Sequence, residues 1–320
     1  MAVYTGIRAA DLDMFVAGYD IGAVVSCEGI AQGIENSNFL LSTDAGKFVL
    51  TLYEKRVRRE DLPFYLGLMA HLADCGFPCP VPVRDRTGEM LHTLSRRPAA
   101  IVTFLDGDWP RDVTPEHCRA IGNAMARLHV GGVDFTITRP NDLSKPAWRP
   151  IFTPLAGRTN ELQAGFAAWI DGELALLERS WPSGLPTGII HADLFPDNVF
   201  FNKDELSGVI DFYFACNDSL AYDIAVCLNA WCFKGDGQFD ADRAGALLDG
   251  YQTVRPLEPA EREALPILTR GAAMRFLLTR LHDWFNTPEA AFTRRKNPVE
   301  FLPIIEFHRS VSDSTAYGVG

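Results

Sequence analysis

The chain lacks features that would place it among metal-ribbon, secreted or membrane proteins. No C-x-x-C pair occurs among its seven cysteines, so zinc-ribbon spacing is absent and free thiols in a reducing compartment are expected. The N-terminus has no apolar signal core, and no apolar run reaches membrane-spanning length. We therefore expect a cytoplasmic protein without a membrane partner.

The chain also lacks an excess of positive charge. It has 30 Lys and Arg against 41 Asp and Glu, for a formal net charge of -11. Binding to a nucleic-acid backbone needs clustered Lys and Arg, so no nucleic-acid partner is expected. No G-x-x-x-x-G-K-[ST] sequence is present, which argues against a P-loop fold. With 320 residues, 47% of them hydrophobic, the chain suits one large or two modest globular domains.

Hydrophobic periodicity changes along the chain in a way that predicts an α+β protein with two lobes. Strand-like runs fill residues 25–53, a helical pattern covers 61–75, and a further strand is expected at 99–105. Beyond Asp106 helical patterns dominate. We predict a small antiparallel-sheet lobe over 1–105 and a larger, mostly helical lobe over 106–320. The other predicted helices are 11–18, one beginning after Thr114, 160–180, 221–233, 241–251, 259–286 and 299–311.

The stretch from His191 to Tyr213 carries the clearest chemical signal. It places His191, Asp193 and Asn198 in an H-x-D-x-x-x-x-N spacing, and a predicted hairpin then leads to Asp211. Transfer of a phosphoryl group from a metal nucleotide needs a carboxylate beside the attacking hydroxyl, with an amide and a second carboxylate on the metal. Asp193 is the candidate base, Asn198 and Asp211 the candidate Mg2+ ligands, and His191 a group that orients the loop. Alone, each would be read as a turn or cap residue.

These motifs resemble the aminoglycoside phosphotransferase and choline kinase superfamily. His-Ala-Asp-Leu-Phe-Pro-Asp-Asn followed by Val-Ile-Asp-Phe is similar to its catalytic and metal-binding segments, and other similar passages occur from about residue 25 to 285. The resemblance implies a bilobal protein-kinase-like fold that uses ATP and Mg2+. It also implies nucleotide contacts at Gly29, Gly33, Asn36 and Ser37 in the first loop, and adenine contacts along the lobe connection, at Thr103 and Leu105.

Further segments resemble the bacterial homoserine kinases within this superfamily, among them Glu35-Asn-Ser-Asn-Phe and Ile210-Asp-Phe-Tyr-Phe-Ala-Cys-Asn-Asp218. This likeness implies phosphorylation of the side-chain hydroxyl of L-homoserine to O-phosphohomoserine, in threonine biosynthesis. An arginine suits the carboxylate of such an acceptor. Arg275 and Arg280 are the candidates for it, and Asp283 is the candidate for its ammonium group. Candidates for the pocket walls are Tyr213, Asn217, Trp231 and Trp284, although core packing is favoured for the two tryptophans. For Arg275, Arg280 and Asp283 an ordinary structural role, such as an i, i+3 surface pair of Arg280 with Asp283, is an equal alternative.

One position departs from the superfamily pattern. Where the strand after the nucleotide loop usually carries a Lys or Arg, this chain has Thr51; residues 51, 53 and 55 share a strand face, so Lys55 could reach the phosphates from one end. The helix glutamate that usually pairs with that lysine is missing too, and Glu60 and Asp61 are the nearest acids. Phosphate contact by Lys55 and a solvated role for it remain equal alternatives.

Three other functions stay open at the level of sequence. A kinase of the same fold acting on an amino alcohol, a methylthioribose-like sugar or an aminoglycoside is the nearest alternative. A metal-dependent hydrolase would use His191, Asp193 and Asp211 as ligands, and a nucleotide-binding pseudokinase would explain Thr51. Nothing in the sequence indicates an oligomeric state.

Overall fold

The computed structural model describes residues 5–30, 36–54, 57–287 and 295–318. Its N-terminal part is built on a five-stranded antiparallel sheet of order β1-β2-β3-β5-β4. The elements are α1 (Ala9–Val16), β1 (Val24–Gly29), β2 (Ser37–Thr43), β3 (Gly46–Leu52), α2 (Leu62–Asp74), β4 (His92–Leu94) and β5 (Arg97–Thr103). Strand β2 alternates between buried and half-buried residues, because successive side chains of a strand point to opposite faces.

The two faces of this sheet bury different partners. One face packs with α1 around Leu41, Leu50 and Ile101. The other face joins the larger core that includes α2, with Leu66 and Ala100 fully or almost fully buried. The sheet is therefore covered on both faces by apolar side chains.

The C-terminal part is mainly helical, with short strands placed between its helices. Its elements are α3 (Pro115–Gly131), α4 (Lys145–Phe152), α5 (Ala156–Thr159), α6 (Phe166–Ser180), β6 (Thr187–Ile190), β7 (Val199–Asn202), β8 (Glu205–Val209), β9 (Cys216–Ser219), α7 (Leu220–Trp231), α8 (Ala241–Gln252), α9 (Pro259–Asn286) and α10 (Leu302–Ser310). Two-stranded antiparallel sheets join β7 to β8 and β6 to β9. The predicted α+β class, with a small antiparallel sheet followed by a helical part, is confirmed.

Three elements of the helical part, α4, the short α5 and β9, were not predicted. Helix α4 carries Pro150 in its interior, which argues against a helix, but it buries Trp148 and Phe152 against α9. Strand β9 consists of Cys-Asn-Asp-Ser, residues with little preference for strands, and it forms because it pairs with β6. In α4 and β9 tertiary packing outweighs local preference.

The two parts meet at the segment after β5. Strand β5 ends at Thr103, and Asp108 then pairs with Phe201 of β7 through two backbone hydrogen bonds of 3.1 and 2.9 Å. The boundary placed after residue 105 stays a prediction. Within the described ranges, no helix combines the length and the apolar character that crossing a membrane requires.

Candidate active site

The loop between β6 and β7 holds the H-x-D-x-x-x-x-N residues in one compact turn. His191 is fully buried at its start, and its Nε2–H donates to the carbonyl oxygen of Ile210 at 3.0 Å. The His191 ring lies 4.9 Å from the ring of Phe212. His191 therefore ties this loop to the residues on either side of Asp211, which agrees with an orienting role.

Asp223 of α7 holds the backbone of the same loop. Its carboxylate accepts hydrogen bonds from the N–H groups of His191 and Ala192, at 2.9 and 2.8 Å, and from His129 Nε2 at 3.1 Å. Ala192 needs such support because its φ of 62° is left-handed and strained for a residue with a Cβ. Burial favours a higher pKa for Asp223, but the His129 hydrogen bond and the other favourable contacts outweigh it and leave the pKa lowered.

Trp231, which we predicted on a pocket wall, lies instead in the core beneath the loop. It is 0% exposed, and its indole N–H donates to the carbonyl oxygen of Leu194 at 2.7 Å. A fully buried ring cannot line an acceptor pocket, so that assignment is wrong. The physical reason is that Trp231 closes the hydrophobic end of α7 and satisfies a buried carbonyl group of the catalytic loop.

Asp193 is half-buried between Asn198 and an arginine from α9. Asn198 Nδ2 donates to the Asp193 carbonyl oxygen at 2.9 Å and to Oδ2 at 3.3 Å. Arg275 Nη1 lies 3.6 Å from the other carboxylate oxygen, Oδ1. Burial raises the pKa of Asp193, and the positive charge of Arg275 opposes that shift. The carboxylate is thus held in place with one oxygen directed toward a cation.

The β7–β8 hairpin brings the two candidate metal ligands together. Asn198 immediately precedes β7, Asp211 follows β8, and the N–H of Ile210 donates to the Asn198 carbonyl oxygen at 3.0 Å. Asp211 adopts a left-handed conformation with φ 65° and ψ 59°. Because Asn198 Nδ2 is used by Asp193, its amide oxygen is the atom left to face a cation. An amide and a carboxylate oxygen are the hard ligands that Mg2+ prefers.

The described residues contain no group of three or more His, Cys, Asp or Glu arranged to hold a metal ion. A metal-dependent hydrolase would need such a set within its own side chains. An ion held by Asn198 and Asp211 would instead complete its coordination with nucleotide phosphates and water, as Mg2+ in kinases does.

The first-loop residues have roles that sequence did not reveal. Gly29 ends β1 opposite Phe39. The Asn36 amide oxygen accepts the N–H of Glu54 at 3.2 Å, and the Ser37 hydroxyl donates to Glu54 Oε1 at 2.9 Å. These side-chain groups therefore hold the end of β3, and contact of Asn36 or Ser37 with a phosphate stays a prediction. Gly33 and Lys55 lie outside the described residues.

Thr51 occupies the place of the usual phosphate lysine and is almost fully buried. Its hydroxyl donates to Asn38 Oδ1 at 2.9 Å. Asp61, one of the two acids nearest the usual glutamate position, pairs with Arg58 at 3.0 Å and with Arg139 at 3.1 Å. Asp61 therefore pairs with two arginines, and not with a lysine at position 51 as in the usual pattern. No sequence pattern marked Arg139, which reaches Asp61 from a loop 78 residues away.

The segment proposed for adenine contacts is closely packed. The Thr103 N–H donates to the Val81 carbonyl oxygen at 2.9 Å, and the Thr103 hydroxyl oxygen accepts the Val81 N–H at 2.9 Å. Leu105 packs closely on Gly208: a Cβ atom added to Gly208 would lie only 2.4 Å from Leu105 Cδ1. Contact between adenine and this segment stays a prediction.

The candidate acceptor residues divide into those near Asp193 and those held elsewhere. Tyr213 packs edge-on against Tyr53 and Tyr65, with ring centroids 5.6 Å apart in both pairs. The Asn217 side-chain oxygen accepts the N–H of Arg139 at 2.8 Å and so holds a loop. Asn217 therefore holds the Arg139 loop. Tyr213 lies close in sequence to the candidate metal ligand, two residues after Asp211.

The three α9 candidates differ in their distance from Asp193. Arg275 contacts it directly. Arg280 pairs with Glu300 at 2.7 Å. Asp283 lies eight residues after Arg275, about 12 Å along the helix axis, and its side chain is 49% exposed. Of the three, the structure brings only Arg275 into contact with the candidate base.

Fold and site together define a bilobal phosphotransferase of the protein-kinase-like type. The profile of the phosphotransferase enzyme family matches residues 26–257. The chain is similar in fold to a solved amicoumacin kinase (TM-score 0.69, 13% identity, 94% of this chain and 92% of that one). It is also similar to a spectinomycin phosphotransferase (TM-score 0.68, 13% identity, 98% and 99% covered).

Two bacterial relatives match at full length. A homoserine kinase of Rhodospirillum rubrum is 58% identical over 319 residues, covering 100% of this chain and 99% of the relative. A homoserine kinase of Azorhizobium caulinodans is 58% identical with the same coverage. The chain belongs to the phosphotransferase enzyme family and, within it, to the homoserine kinase group. The predicted family, fold and enzyme class are thereby confirmed.

Proposed function

We propose that this protein transfers the γ-phosphoryl group of ATP to the side-chain hydroxyl of L-homoserine, giving O-phosphohomoserine and ADP. The observation that carries the proposal is full-length similarity, at 54–58% identity, to several homoserine kinases. The site is consistent with it, because a carboxylate, an amide and a second carboxylate meet around one hairpin.

Asp193 is the base in this scheme. It holds the acceptor hydroxyl in line with the γ-phosphorus and takes its proton as the new O–P bond forms and the bond to ADP breaks. Asn198 holds Asp193 through two hydrogen bonds from its amide nitrogen, one to the carboxylate oxygen Oδ2 and one to the backbone carbonyl oxygen. Asp223 and Trp231 hold the loop backbone from below, so the base keeps its position without substrate.

Nucleotide and divalent metal are proposed on two grounds. Structural neighbours were solved with AMP-PNP and Ca2+, and with ADP. The Asn198 amide oxygen and the Asp211 carboxylate are suited to Mg2+, which would neutralise charge on the transferring phosphates. With Thr51 in place of the usual lysine, we propose that more of that neutralisation depends on the metal.

A panel of acceptors tests the proposal. Purified protein with ATP and Mg2+ is assayed for ADP release with homoserine, choline, ethanolamine, methylthioribose and kanamycin. We expect turnover with homoserine to exceed the others by at least about 100-fold, which corresponds to a few charged hydrogen bonds. Preferential turnover of another acceptor would replace the proposed substrate. Nucleotide binding without transfer to any acceptor would indicate a pseudokinase.

A further inference from the structure

Arg275 is an unusual arginine for its position in α9. It is 4% exposed, yet no hydrogen bond joins it to any other residue in the described ranges. Its one ion pair with another described residue, Asp193 Oδ1, has a separation of 3.6 Å, which is longer than a hydrogen bond. A guanidinium group has five N–H donors, and the nitrogens of Arg275 are not among the fully enclosed, unpartnered polar atoms of the described ranges, so they stay accessible to an acceptor. The site therefore has donors for an acceptor group that the described residues do not supply.

Two aromatic rings fix the orientation of this guanidinium group. Its central carbon lies 4.0 Å from the ring centroid of Phe276 and 5.2 Å from that of Phe214. Stacking on a ring suits the flat guanidinium and leaves its edge available for a planar, bidentate partner. Carboxylates and phosphates are the groups that match such an edge.

We propose that Arg275 binds the carboxylate of the acceptor and so selects acceptors that carry one close to the reacting hydroxyl. The proposal rests on the function proposed above. In homoserine four bonds separate the hydroxyl oxygen from the carboxylate carbon, a span of about 5 Å when extended. Asp193 and Arg275 present atoms 3.6 Å apart. With hydrogen bonds of about 2.8 Å at each end, one molecule reaches both residues at once.

Arg280, the other arginine of α9 considered for the carboxylate, is less suited to this role. Arg280 already donates to Glu300 at 2.7 Å and to the Asn297 carbonyl oxygen at 3.3 Å. The side chain of Arg275, in contrast, reaches the candidate base itself. An acceptor without a carboxylate, such as choline or a polycationic aminoglycoside, would leave the N–H donors of this largely buried cation without an acceptor at hydrogen-bond distance. Selection thus includes rejection of the wrong acceptor.

The test compares two acceptors in two proteins. Homoserine and 3-aminopropan-1-ol differ only by the carboxylate, and kcat/KM is measured for both in wild type and in Arg275→Met. Wild type should prefer homoserine by about 10- to 150-fold, as expected for hydrogen bonds to a charged group. In Arg275→Met this preference should fall to within about 3-fold, through a rise in KM for homoserine. Arg158→Met, which removes another arginine stacked on a ring, 4.3 Å from Phe285, should keep the wild-type preference.

The outcomes separate the possible errors. If Arg275→Met lowers kcat equally for both acceptors and leaves their ratio unchanged, the residue only positions Asp193 and the proposal is wrong. If wild type does not phosphorylate homoserine, the proposed function itself is wrong.

A binding measurement on wild-type protein with AMP-PNP and Mg2+ avoids any folding defect of the variant. L-2-Aminobutyrate should bind at least about 10-fold more tightly than propylamine, since only the former has a carboxylate. Equal affinities would overturn the proposal.

Discussion

Asp223→Asn is the substitution whose effect the structure predicts most fully. The carboxylate is fully buried and accepts three hydrogen bonds, two from the loop backbone at His191 and Ala192 and one from His129. Asparagine has nearly the same shape but only one oxygen. Whichever way its amide is turned, an NH2 group replaces one acceptor and faces at least one N–H donor.

The expected cost follows from counting these groups. One buried backbone N–H left without an acceptor costs about 1–3 kcal/mol. Loss of the charge weakens the remaining hydrogen bonds by about 1 kcal/mol, because charge-assisted bonds are the stronger ones. We therefore expect the free energy of unfolding to fall by roughly 2–4 kcal/mol. Relaxation of the strained Ala192 should also move Asp193, and a shift near 1 Å lowers kcat by about 100-fold.

Urea unfolding at pH 7 and steady-state kinetics measure the two effects. Asp249→Asn is the matched control, because Asp249 is 60% exposed and makes one surface ion pair at 3.4 Å. The control should change stability by no more than about 0.5 kcal/mol. The reasoning is refuted if Asp223→Asn behaves like this control, with kcat within about 3-fold of wild type.

Three further predictions concern the metal and pH. Asp211→Asn should weaken Mg2+-dependent nucleotide binding by about 10-fold or more, measured by titration of AMP-PNP with and without Mg2+; unchanged titration curves would exclude it as a ligand. Burial lowers the pKa of His308 to about 3, so below its ordinary pKa the unfolded chain binds a proton that the folded chain does not. Stability should therefore decrease by about 2 kcal/mol between pH 6.5 and 5, and His308→Gln should remove most of this decrease in urea unfolding. Because burial raises the pKa of Asp193 and a base must be ionised, the acid limb of kcat/KM should lie above pH ~4, and a limb at or below 4 would contradict its role.

Local signals in the sequence predicted much of the fold. The helix predicted over 259–286 matches α9 at both ends. Pro259 at the first helical position and the capping box between Glu258 and Glu261 mark its beginning clearly. The predicted strand, loop and hairpin before Asp211 are also present, because turn residues there separate short apolar runs.

Contacts between distant residues could not be predicted in this way. The spacing of His191, Asp193 and Asn198 was informative because all three lie in one loop, whereas Arg275 reaches Asp193 from 82 residues further along the chain. Helical periodicity fits both a core and a pocket role for Trp231, and only packing places its ring under Leu194. The hydrogen bonds that join Asn36 and Ser37 to Glu54 could likewise not be predicted from the sequence, because the three residues meet only in the folded sheet.

The central claim is that Asp193 is the base for phosphoryl transfer to homoserine. Single-turnover transfer from ATP to homoserine, measured by rapid quench in Asp193→Asn beside wild type, tests it most directly. We predict a rate at least about 1,000-fold lower, since general base catalysis and positioning are both lost, while AMP-PNP still binds within about 3-fold of wild type. A transfer rate within 10-fold of wild type, with nucleotide binding intact, would contradict the account.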